Sequence, residues 1–431
     1  MTRRSRPGRA RNPARAIRVA QICGISDGGQ WMVDISRMLI ERGYDVVAVI
    51  PDADGDTAGR LRTAGVRFAT APMHLSRSTG AAARLVHRVP RIGWALALPI
   101  DLAALAGRVV RLAWVIRRLD VDVTHTHVFN ATAIGRVAAF LARVPVRVGM
   151  IPGPYHLEAA ATRRLDLATQ RLDHRIIPGS RWIENLYLDL GVSPDRLRWI
   201  PYPHDPLIFD PELADGARVR TELAIPATTP LIGQVAHFYP VVDTVFTPPG
   251  LRNRGVKGHE DFLAAARTVL DARPDVRFLL VGADWGPEGK EHRIAMQELA
   301  RELGVDHAVI FAGYRTDVRD VLAALDVAVQ ASLTENYGGT IEALTMARPM
   351  IATRVGGMPE TVRDGETGLL VPARDPDALA AAMLRLIDDP ALSSTLAEHG
   401  RALMLEHFTI THTVDGIDAL YRELLDEHGI A

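Results

Sequence analysis

Short apolar runs alternate with amphipathic, helix-length segments along most of the chain. Runs of this kind are typical of strands buried on both faces, and the segments between them have the spacing of helices. The predicted strands form two groups, at 17–23, 44–50, 121–125, 146–150, 175–178 and 197–200, and then at 231–236, 276–281, 308–311, 327–330 and 350–352. Strands that alternate with helices predict parallel sheets with right-handed crossovers.

A polar connection around 210–216 separates the two groups of strands. The pattern therefore predicts an α/β protein with two Rossmann-like domains that face each other across a cleft, because open parallel sheets bind ligands beyond the carboxyl ends of their strands. The predicted division is a disordered basic tail at 1–16, an N-terminal domain at 17–212, a C-terminal domain at 213–405 and a last segment at 406–431.

Composition and charge narrow the class of protein. The chain has 431 residues, 48% of them hydrophobic and 23% charged, which is ordinary for a globular protein. Cys23 is the single cysteine, so no intramolecular disulfide can form, and this fits the cytoplasm. Seven arginines lie in the first 18 residues, and subtracting them from the net charge of −1 leaves about −8 for the rest. A negative body argues against nucleic acid as a partner.

The densest candidate chemistry follows the predicted strand at 327–330. A polar loop holds Glu335, and Gly338, Gly339 and Thr340 then open a helix that carries Glu342. Backbone N–H groups at a helix start suit a phosphate, and a carboxylate in the first turn suits the hydroxyls of a ribose. On these residues alone, turn glycines and a glutamate that interacts with the helix dipole are an equally good interpretation.

Two further candidates lie in the first domain. Gly28 and Gly29 join a strand to a helix, which allows either a phosphate site or a turn that needs small residues. His125 and His127 lie two apart on a predicted strand, and without a third ligand they do not predict a metal site.

The order of motifs resembles the donor-site signature of the retaining GT-B glycosyltransferases, glycosyltransferase family 4. The matching positions are Ala331-Ser332, Glu335 with Tyr337-Gly338, Glu342-Ala343, Arg348-Pro349, Gly357-Met358-Pro359-Glu360 and Asp364-Gly365 through Gly368-Leu369-Leu370-Val371. One departure is that six residues, rather than the usual seven, separate Glu335 from Glu342.

The resemblance implies a GT-B fold and a retaining hexosyltransferase. Such an enzyme moves a sugar from a nucleotide diphosphate to a hydroxyl of a sugar or lipid-linked acceptor, in polysaccharide or glycolipid biosynthesis, and needs no metal cofactor. The resemblance also implies that the last helix returns to the N-terminal domain. Glu335 would hold the sugar, Glu342 the ribose, and Gly28 and Gly29 would line the cleft near the diphosphate.

Where the family has an arginine and a lysine on the diphosphate, this chain has His237 and Lys257, separated by an insertion at 239–256. Lys257 is one of two lysines against 48 arginines, which makes a lysine here a specific choice. Arg252 and Arg254 in the insertion are candidates to replace the missing arginine, as parts of a lid that closes on the donor. The resemblance assigns His127 and His156 to the acceptor side, with His156 near the reacting sugar.

Three alternatives stay open: a sugar-nucleotide epimerase, a phosphorylase, and a GT-B protein that binds nucleotide sugar without catalysis. The segment 84–118 combines aliphatic residues, Trp94, Trp114 and flanking arginines, and its prolines and Asp101 interrupt it. It predicts either a pair of core-facing helices or contact with an anionic membrane surface. The expected location is the cytoplasm, with the inner face of the membrane as an option.

Overall fold

The structure, a computed structural model, describes residues 15–73, 90–202, 204–241, 243–244 and 247–430. It contains two six-stranded parallel sheets, with strand orders β3-β2-β1-β4-β5-β6 and β12-β11-β10-β7-β8-β9. The strands are β1 (Arg18–Cys23), β2 (Asp45–Ile50), β3 (Arg67–Thr70), β4 (Val123–His127), β5 (Val146–Ile151), β6 (Arg175–Pro178), β7 (Leu231–Val235), β8 (Arg277–Val281), β9 (Val309–Gly313), β10 (Val327–Gln330), β11 (Met350–Thr353) and β12 (Leu369–Val371).

Helices cover both faces of each sheet, as parallel sheets require. They are α1 (Gln30–Glu41), α2 (Asp56–Thr63), α3 (Pro90–Leu119), α4 (Phe129–Ala142), α5 (Tyr155–Glu158), α6 (Ala160–Thr169), α7 (Arg181–Asp189), α8 (Gly216–Glu222), α9 (His259–Ala272), α10 (Gly286–Glu302), α11 (Val318–Ala324), α12 (Thr340–Thr345), α13 (Met358–Thr361), α14 (Pro376–Asp388), α15 (Pro390–His407) and α16 (Ile410–Glu427). The predicted α/β fold with two Rossmann-like domains is confirmed.

The differences from the predicted strands lie at the sheet edges. The predicted strand at 197–200 is wrong: Leu197 makes one bridge to Ile176, and Ile200 packs into the core beneath α16 instead. The edge strands β3 and β12 were not predicted. β3 has only two apolar residues among its four, and β12 is buried but only three residues long, so neither has an apolar run as long as those of the other strands.

α3 is one helix of 30 residues, although a break within 84–118 was predicted. Its Leu112 and Ile116 are buried against Ile134 and Ala138 of α4, so one face belongs to the N-terminal core. Among the described helices none is long and apolar enough to cross a membrane. Residues 84–89, like 1–14 of the predicted tail, lie outside the described residues, whereas Arg15 forms a salt bridge with Asp120 at 3.0 Å.

The last helix, α16, packs on the first sheet rather than on the second. Val414, Ile417 and Leu424 are fully buried in a core shared with Val19 and Ile35. An amphipathic helix buries one apolar stripe, and this stripe completes the N-terminal domain. The chain therefore crosses between the domains twice.

Glu360 connects the two domains directly. Its carboxylate accepts hydrogen bonds from the N–H groups of Arg181 and Trp182, at 3.0 and 2.7 Å, at the start of α7. A negative group is stabilised at a helix N-terminus by unpaired N–H groups and by the helix dipole. Tyr337 donates to the same carboxylate at 2.9 Å, so this contact also positions the loop that carries Glu335.

A buried ionic cluster holds the helices of the N-terminal domain against the sheet. The fully buried Arg136 of α4 donates to Asp166 at 2.6 Å and to Asp173 at 2.5 Å, and Tyr187 donates to Asp166 at 2.8 Å. Removing one member of such a cluster leaves an unpaired charge without water.

We expect Arg136→Met to lower the free energy of unfolding by about 3–5 kcal/mol, because Asp166 and Asp173 then lose their buried cation. Urea denaturation measures the difference. The control is Arg164→Met on the exposed side of α6, which should change stability by less than about 0.5 kcal/mol. Equal stability of the two variants would show that the cluster does not hold the domain.

Candidate active site in the interdomain cleft

The cleft between the domains contains a cavity of about 490 Å³. It lies beyond the carboxyl ends of β5, β7, β8 and β10, where open parallel sheets bind their ligands. Its lining comes from both domains and consists of Gly153, Pro154, Tyr155, Tyr239, Pro240, Thr247, Leu251, Arg254, Val256, Lys257, Trp285, Thr334 and Glu335.

Lys257 and Glu335 form an ion pair on one wall of this cavity, and both side chains are 16% exposed. Burial lowers the pKa of Lys257, but the Glu335 carboxylate, with smaller contributions from Tyr239 and Glu342, raises it, and the net pKa is raised. The Lys257 ammonium also lies 5.6 Å from the centre of the Tyr239 ring, within cation–π range. Lys257 is therefore charged and held in place.

Glycines bring these two side chains together. A Cβ on Gly258 would lie 2.0 Å from the carbonyl oxygen of Ala331, so only glycine lets the lysine turn approach the end of β10. A Cβ on Gly356 would lie 1.7 Å from the carbonyl oxygen of Glu335. Both glycines have positive φ, of 65° and 53°, which favours glycine on conformational grounds as well.

Glu342 lies in the first turn of α12, and its Oε2 atom is buried without a hydrogen-bond partner in the described structure. The pKa of Glu342 is raised to about 7, first by burial and then by the Glu335 carboxylate, while a hydrogen bond from its own backbone and the Lys257 ammonium oppose the shift. A buried carboxylate oxygen without a donor is unfavourable. A ligand hydroxyl at this position would remove that cost. The shortened spacing thus still places both glutamates beside Lys257.

The predicted phosphate cradle divides into two parts. The N–H groups of Gly338 and Gly339 have no hydrogen-bond acceptor among the described residues. Thr340 is fully buried, its hydroxyl contacts the carbonyl of Tyr337 at 2.5 Å and the hydroxyl of Thr361 at 2.9 Å, and its N–H donates to the Tyr337 carbonyl. Thr340 therefore holds the turn, and the two glycine amides are the groups that can meet an anion.

His237 faces the same region but does not supply a second cation. Its Nδ1 accepts a hydrogen bond from the N–H of Ala283 at 3.0 Å, which leaves the proton on Nε2. Burial and the nearby Lys257 both lower the pKa of His237. The neutral ring can donate one hydrogen bond from Nε2.

The two arginines of the insertion are engaged elsewhere. Arg254 reaches the cavity but donates to Asp261 at 2.6 Å, and Arg252 pairs with Asp243 at 3.2 Å and is half exposed. Neither arginine contacts the Lys257–Glu335 pair. A role on the diphosphate would require these ion pairs to open.

The Gly28-Gly29 loop adopts positive φ at both glycines, 87° and 70°. The N–H of Gly28 donates to the Asp56 carboxylate at 3.2 Å, so a protein carboxylate occupies that part of the predicted anion site. Gly29 is the N-cap of α1 and leads directly to Trp31, whose ring lies 5.7 Å from that of Tyr202. Neither glycine is among the residues that line the cavity.

Neither predicted acceptor histidine reaches the cavity. His127 is fully buried, with Nε2 on Gln21 at 2.5 Å and its ring against Trp31. His156 is buried and stacks on Phe129 at 4.5 Å, and burial lowers its pKa to about 4. Both histidine side chains are packed inside the N-terminal domain, and Tyr155, next to His156, lines the cavity instead.

Two protein-family models match this chain, one in each domain. Residues 28–203 match the family described as "Glycosyl transferase 4-like domain", and residues 245–389 match "Glycosyl transferases group 1". A D-inositol 3-phosphate glycosyltransferase of Acidothermus cellulolyticus is 30% identical over 356 residues, covering 78% of this chain and 74% of that protein. An N-acetyl-alpha-D-glucosaminyl L-malate synthase of Bacillus anthracis is 30% identical over 179 residues, 41% of this chain and 45% of that protein.

The chain is a family 4 GT-B glycosyltransferase. Among solved structures, Anabaena HepE in complex with UDP superimposes with a TM-score of 0.73 at 19% identity, covering 94% of this chain and 100% of that one. The predicted family and the predicted transfer of a sugar are confirmed. The Acidothermus protein is named as a glycosyltransferase and the Bacillus protein as a synthase, so neither name supports an epimerase, a phosphorylase or a non-catalytic binding protein.

Sequence reasoning missed the aromatic residues of this glycosyltransferase's cleft. Tyr155, Tyr239 and Trp285 all line the cavity. Each follows a strand within a few residues, after β5, β7 and β8. Their positions just beyond the carboxyl ends of predicted parallel strands are the signal in the sequence that could have identified them as cleft residues.

The raised pKa of Glu342, about 7, predicts how stability changes with pH. An acid with a higher pKa when folded binds more protons in the folded state, so its contribution is lost as pH rises from about 4.5 to 7. We expect Glu342→Gln to stabilise the ligand-free protein at pH 8 by about 1–3 kcal/mol, and by much less at pH 5.

Urea denaturation of both proteins at the two pH values measures this difference. The control is Glu302→Gln, an exposed glutamate at the end of α10, which should show no pH-dependent gain. A Glu342→Gln variant that is less stable than wild type at pH 8 would contradict the burial argument.

Proposed function

We propose that the protein transfers a hexosyl group from a nucleotide-diphosphate sugar to an acceptor hydroxyl with retention of configuration and without a metal ion. The observation that carries this proposal is the arrangement of Lys257, Glu335 and the unpartnered buried oxygen of Glu342 around one end of the cleft. Two carboxylates and one ammonium match the two sets of hydroxyls and the diphosphate of such a donor.

The proposed roles follow from these positions. Glu342 accepts hydrogen bonds from the ribose hydroxyls, and Glu335 from the hydroxyls of the transferred sugar. Lys257, the amides of Gly338 and Gly339, and the Nε2–H of His237 contact the diphosphate. These groups stabilise negative charge that grows on the leaving phosphate oxygen, which is where preorganised donors accelerate a reaction.

The proposed reaction needs no protein nucleophile. The bond between the anomeric carbon and the phosphate oxygen breaks, and an oxocarbenium-like sugar forms. The acceptor hydroxyl attacks from the face that the diphosphate leaves, which retains configuration, and its proton passes to the leaving phosphate oxygen. We assign the stabilisation of this charge to Lys257, to the amides of Gly338 and Gly339 and to His237. Among the described residues no group of three His, Cys, Asp or Glu side chains could hold a metal ion.

Incubation with a panel of nucleotide sugars, with and without a lipid extract, tests this function. Nucleotide release that requires an acceptor supports transfer. Release of a modified nucleotide sugar without an acceptor would point to an epimerase, release that requires orthophosphate to a phosphorylase, and binding without turnover to a non-catalytic protein.

We expect Lys257→Ala to reduce kcat/KM at least ~10-fold, because a charge-assisted hydrogen bond to the diphosphate is worth roughly 1.5–3 kcal/mol. The chain offers one matched control, since Lys290, the other lysine, is exposed on α10. Lys290→Ala should keep wild-type kinetics.

We expect Glu342→Gln to lower kcat/KM at least ~10-fold as well. Full activity of both Lys257→Ala and Glu342→Gln would show that the donor does not bind in this cleft.

We further propose that the N-terminal domain binds the surface of an anionic membrane from the cytoplasm. The exposed side of α3 and the end of α4 combine large apolar residues with arginines. This arginine–aromatic surface consists of Leu102, Val110, Trp114, Phe140 and Leu141 with Arg111, Arg117, Arg118 and Arg143.

The charges on this surface are available to a partner. In the described part of the chain no carboxylate pairs with Arg111, Arg117, Arg118 or Arg143. Arg118 instead lies 3.7 Å from the centre of the Trp114 ring. Arginines beside exposed aromatic and aliphatic groups suit the interface of an anionic bilayer, where each basic residue adds about 1 kcal/mol of attraction.

Flotation with phosphatidylglycerol vesicles at low salt tests the surface. We expect wild-type protein to float and the triple variant Arg111→Ser/Arg117→Ser/Arg118→Ser to stay at the bottom. The control replaces three exposed arginines elsewhere, Arg164, Arg301 and Arg385, with serine, and should float like wild type. Equal flotation of both triple variants, or of wild type with neutral vesicles, would contradict a specific anionic contact.

A further inference from the structure

The 239–256 insertion forms an apolar wall of the cleft beside the Lys257–Glu335 pair. Tyr239, Pro240, Leu251 and Val256 reach the cavity from the insertion, and Trp285 extends the same wall from the loop after β8. Leu251 is 4% exposed and so is packed into the wall. Pro154 and Tyr155 face them from the N-terminal domain.

Hydrogen bonds hold both ends of the insertion in place. At its start, the Tyr239 carbonyl accepts a hydrogen bond from His292 Nδ1 at 2.9 Å. At its end, the N–H of Gly255 donates to the Glu260 carboxylate at 2.8 Å. A Cβ on Gly255 would lie 2.4 Å from the His292 ring, so the two ends meet on the same histidine. A preformed apolar wall binds a ligand without first having to order itself.

The chemistry of the cavity changes from one end to the other. Lys257 and Glu335 provide the charged end, and Arg254 is neutralised by Asp261. A nucleotide sugar carries charge or hydroxyls on its diphosphate, ribose and hexose, and only its base has apolar faces. The ribose is assigned to Glu342, which is not among the residues that line the cavity, so the attached base lies away from the wall of proline, leucine, valine and tryptophan. Apolar lining of this kind gains binding free energy only from apolar ligand surface.

We infer that the wall binds the apolar part of the acceptor, which is therefore a hydroxyl-bearing group joined to an alkyl chain or an apolar ring. The inference rests on the proposed function, since the hydroxyl must reach the sugar held at Lys257 and Glu335. When the apolar part of the acceptor contacts Val256 and Trp285, its hydroxyl is directed to the charged end of the cavity. The insertion is thus a determinant of acceptor specificity.

Two glucosides that share a head group test the inference. We use octyl β-D-glucopyranoside below its micellar concentration and methyl β-D-glucopyranoside, with UDP present at saturation. Isothermal titration calorimetry should show binding of the octyl compound at least ~10-fold tighter, because each buried methylene favours binding. UDP affinity, measured separately, reports on the donor site.

Two substitutions in the apolar wall test whether the alkyl chain binds there. Val256→Thr keeps the side-chain shape but adds a hydroxyl to the wall, and Trp285→Ala removes its aromatic surface. Each should weaken octyl glucoside binding at least ~5-fold and leave UDP affinity unchanged. The control is Ile294→Ala on α10, since Ile294 and Trp285 are both 40% exposed and only Trp285 lines the cavity. Ile294→Ala should bind octyl glucoside and UDP with wild-type affinity.

Equal affinity for the two glucosides would overturn the inference, and so would octyl binding that neither wall variant weakens. Competition between octyl glucoside and UDP would also overturn it, because the wall would then belong to the donor. Octyl binding that depends on the wall, in a protein that binds neither UDP nor any other nucleoside diphosphate of the panel, would support the apolar site and overturn the donor assignment instead.

Discussion

The ion pair between Lys257 and Glu335 is the constraint around which the cleft is organised. It joins the loop after β7 to the loop after β10, and it keeps a cation and a carboxylate together where water is largely excluded. In such surroundings one unpaired charge would be costly, so each side chain secures the other. The nearby Glu342 has no protein cation of its own, and burial together with Glu335 raises its pKa to about 7.

This arrangement depends on backbone approaches that only glycine permits. Gly258 touches the carbonyl of Ala331, and Gly356 touches the carbonyl of Glu335. Glu360 extends the same constraint to the other domain, because its carboxylate caps α7 and accepts from Tyr337. The donor-side loops and the relative placement of the two domains are therefore stabilised by one connected set of contacts.

The insertion shows how a common fold acquires a different wall. A mobile segment bearing Arg252 and Arg254 would have supplied positive charge to the diphosphate. In the structure Arg254 pairs with Asp261, Arg252 pairs with Asp243, and the ends of the insertion are tied to His292 and Glu260. The segment presents apolar surface to the cavity, and a neutral His237 occupies the position at which the family has an arginine.

The sequence by itself determined the two parallel sheets, the order of the domains and which residues are candidates for the donor site. Buried central strands have continuous apolar runs, and Glu335 and Glu342 lie in the loop and helix that follow β10, so their position at the carboxyl end of the sheet follows from local pattern. Lys257 lies beyond the 239–256 insertion, and only the order of family motifs predicted its position. Tertiary structure alone decided that His127 and His156 are buried, that α3 is one helix, and that Tyr155, Tyr239 and Trp285 share one cavity. Those outcomes depend on which distant segments pack together, and periodicity along the chain carries no information about that packing.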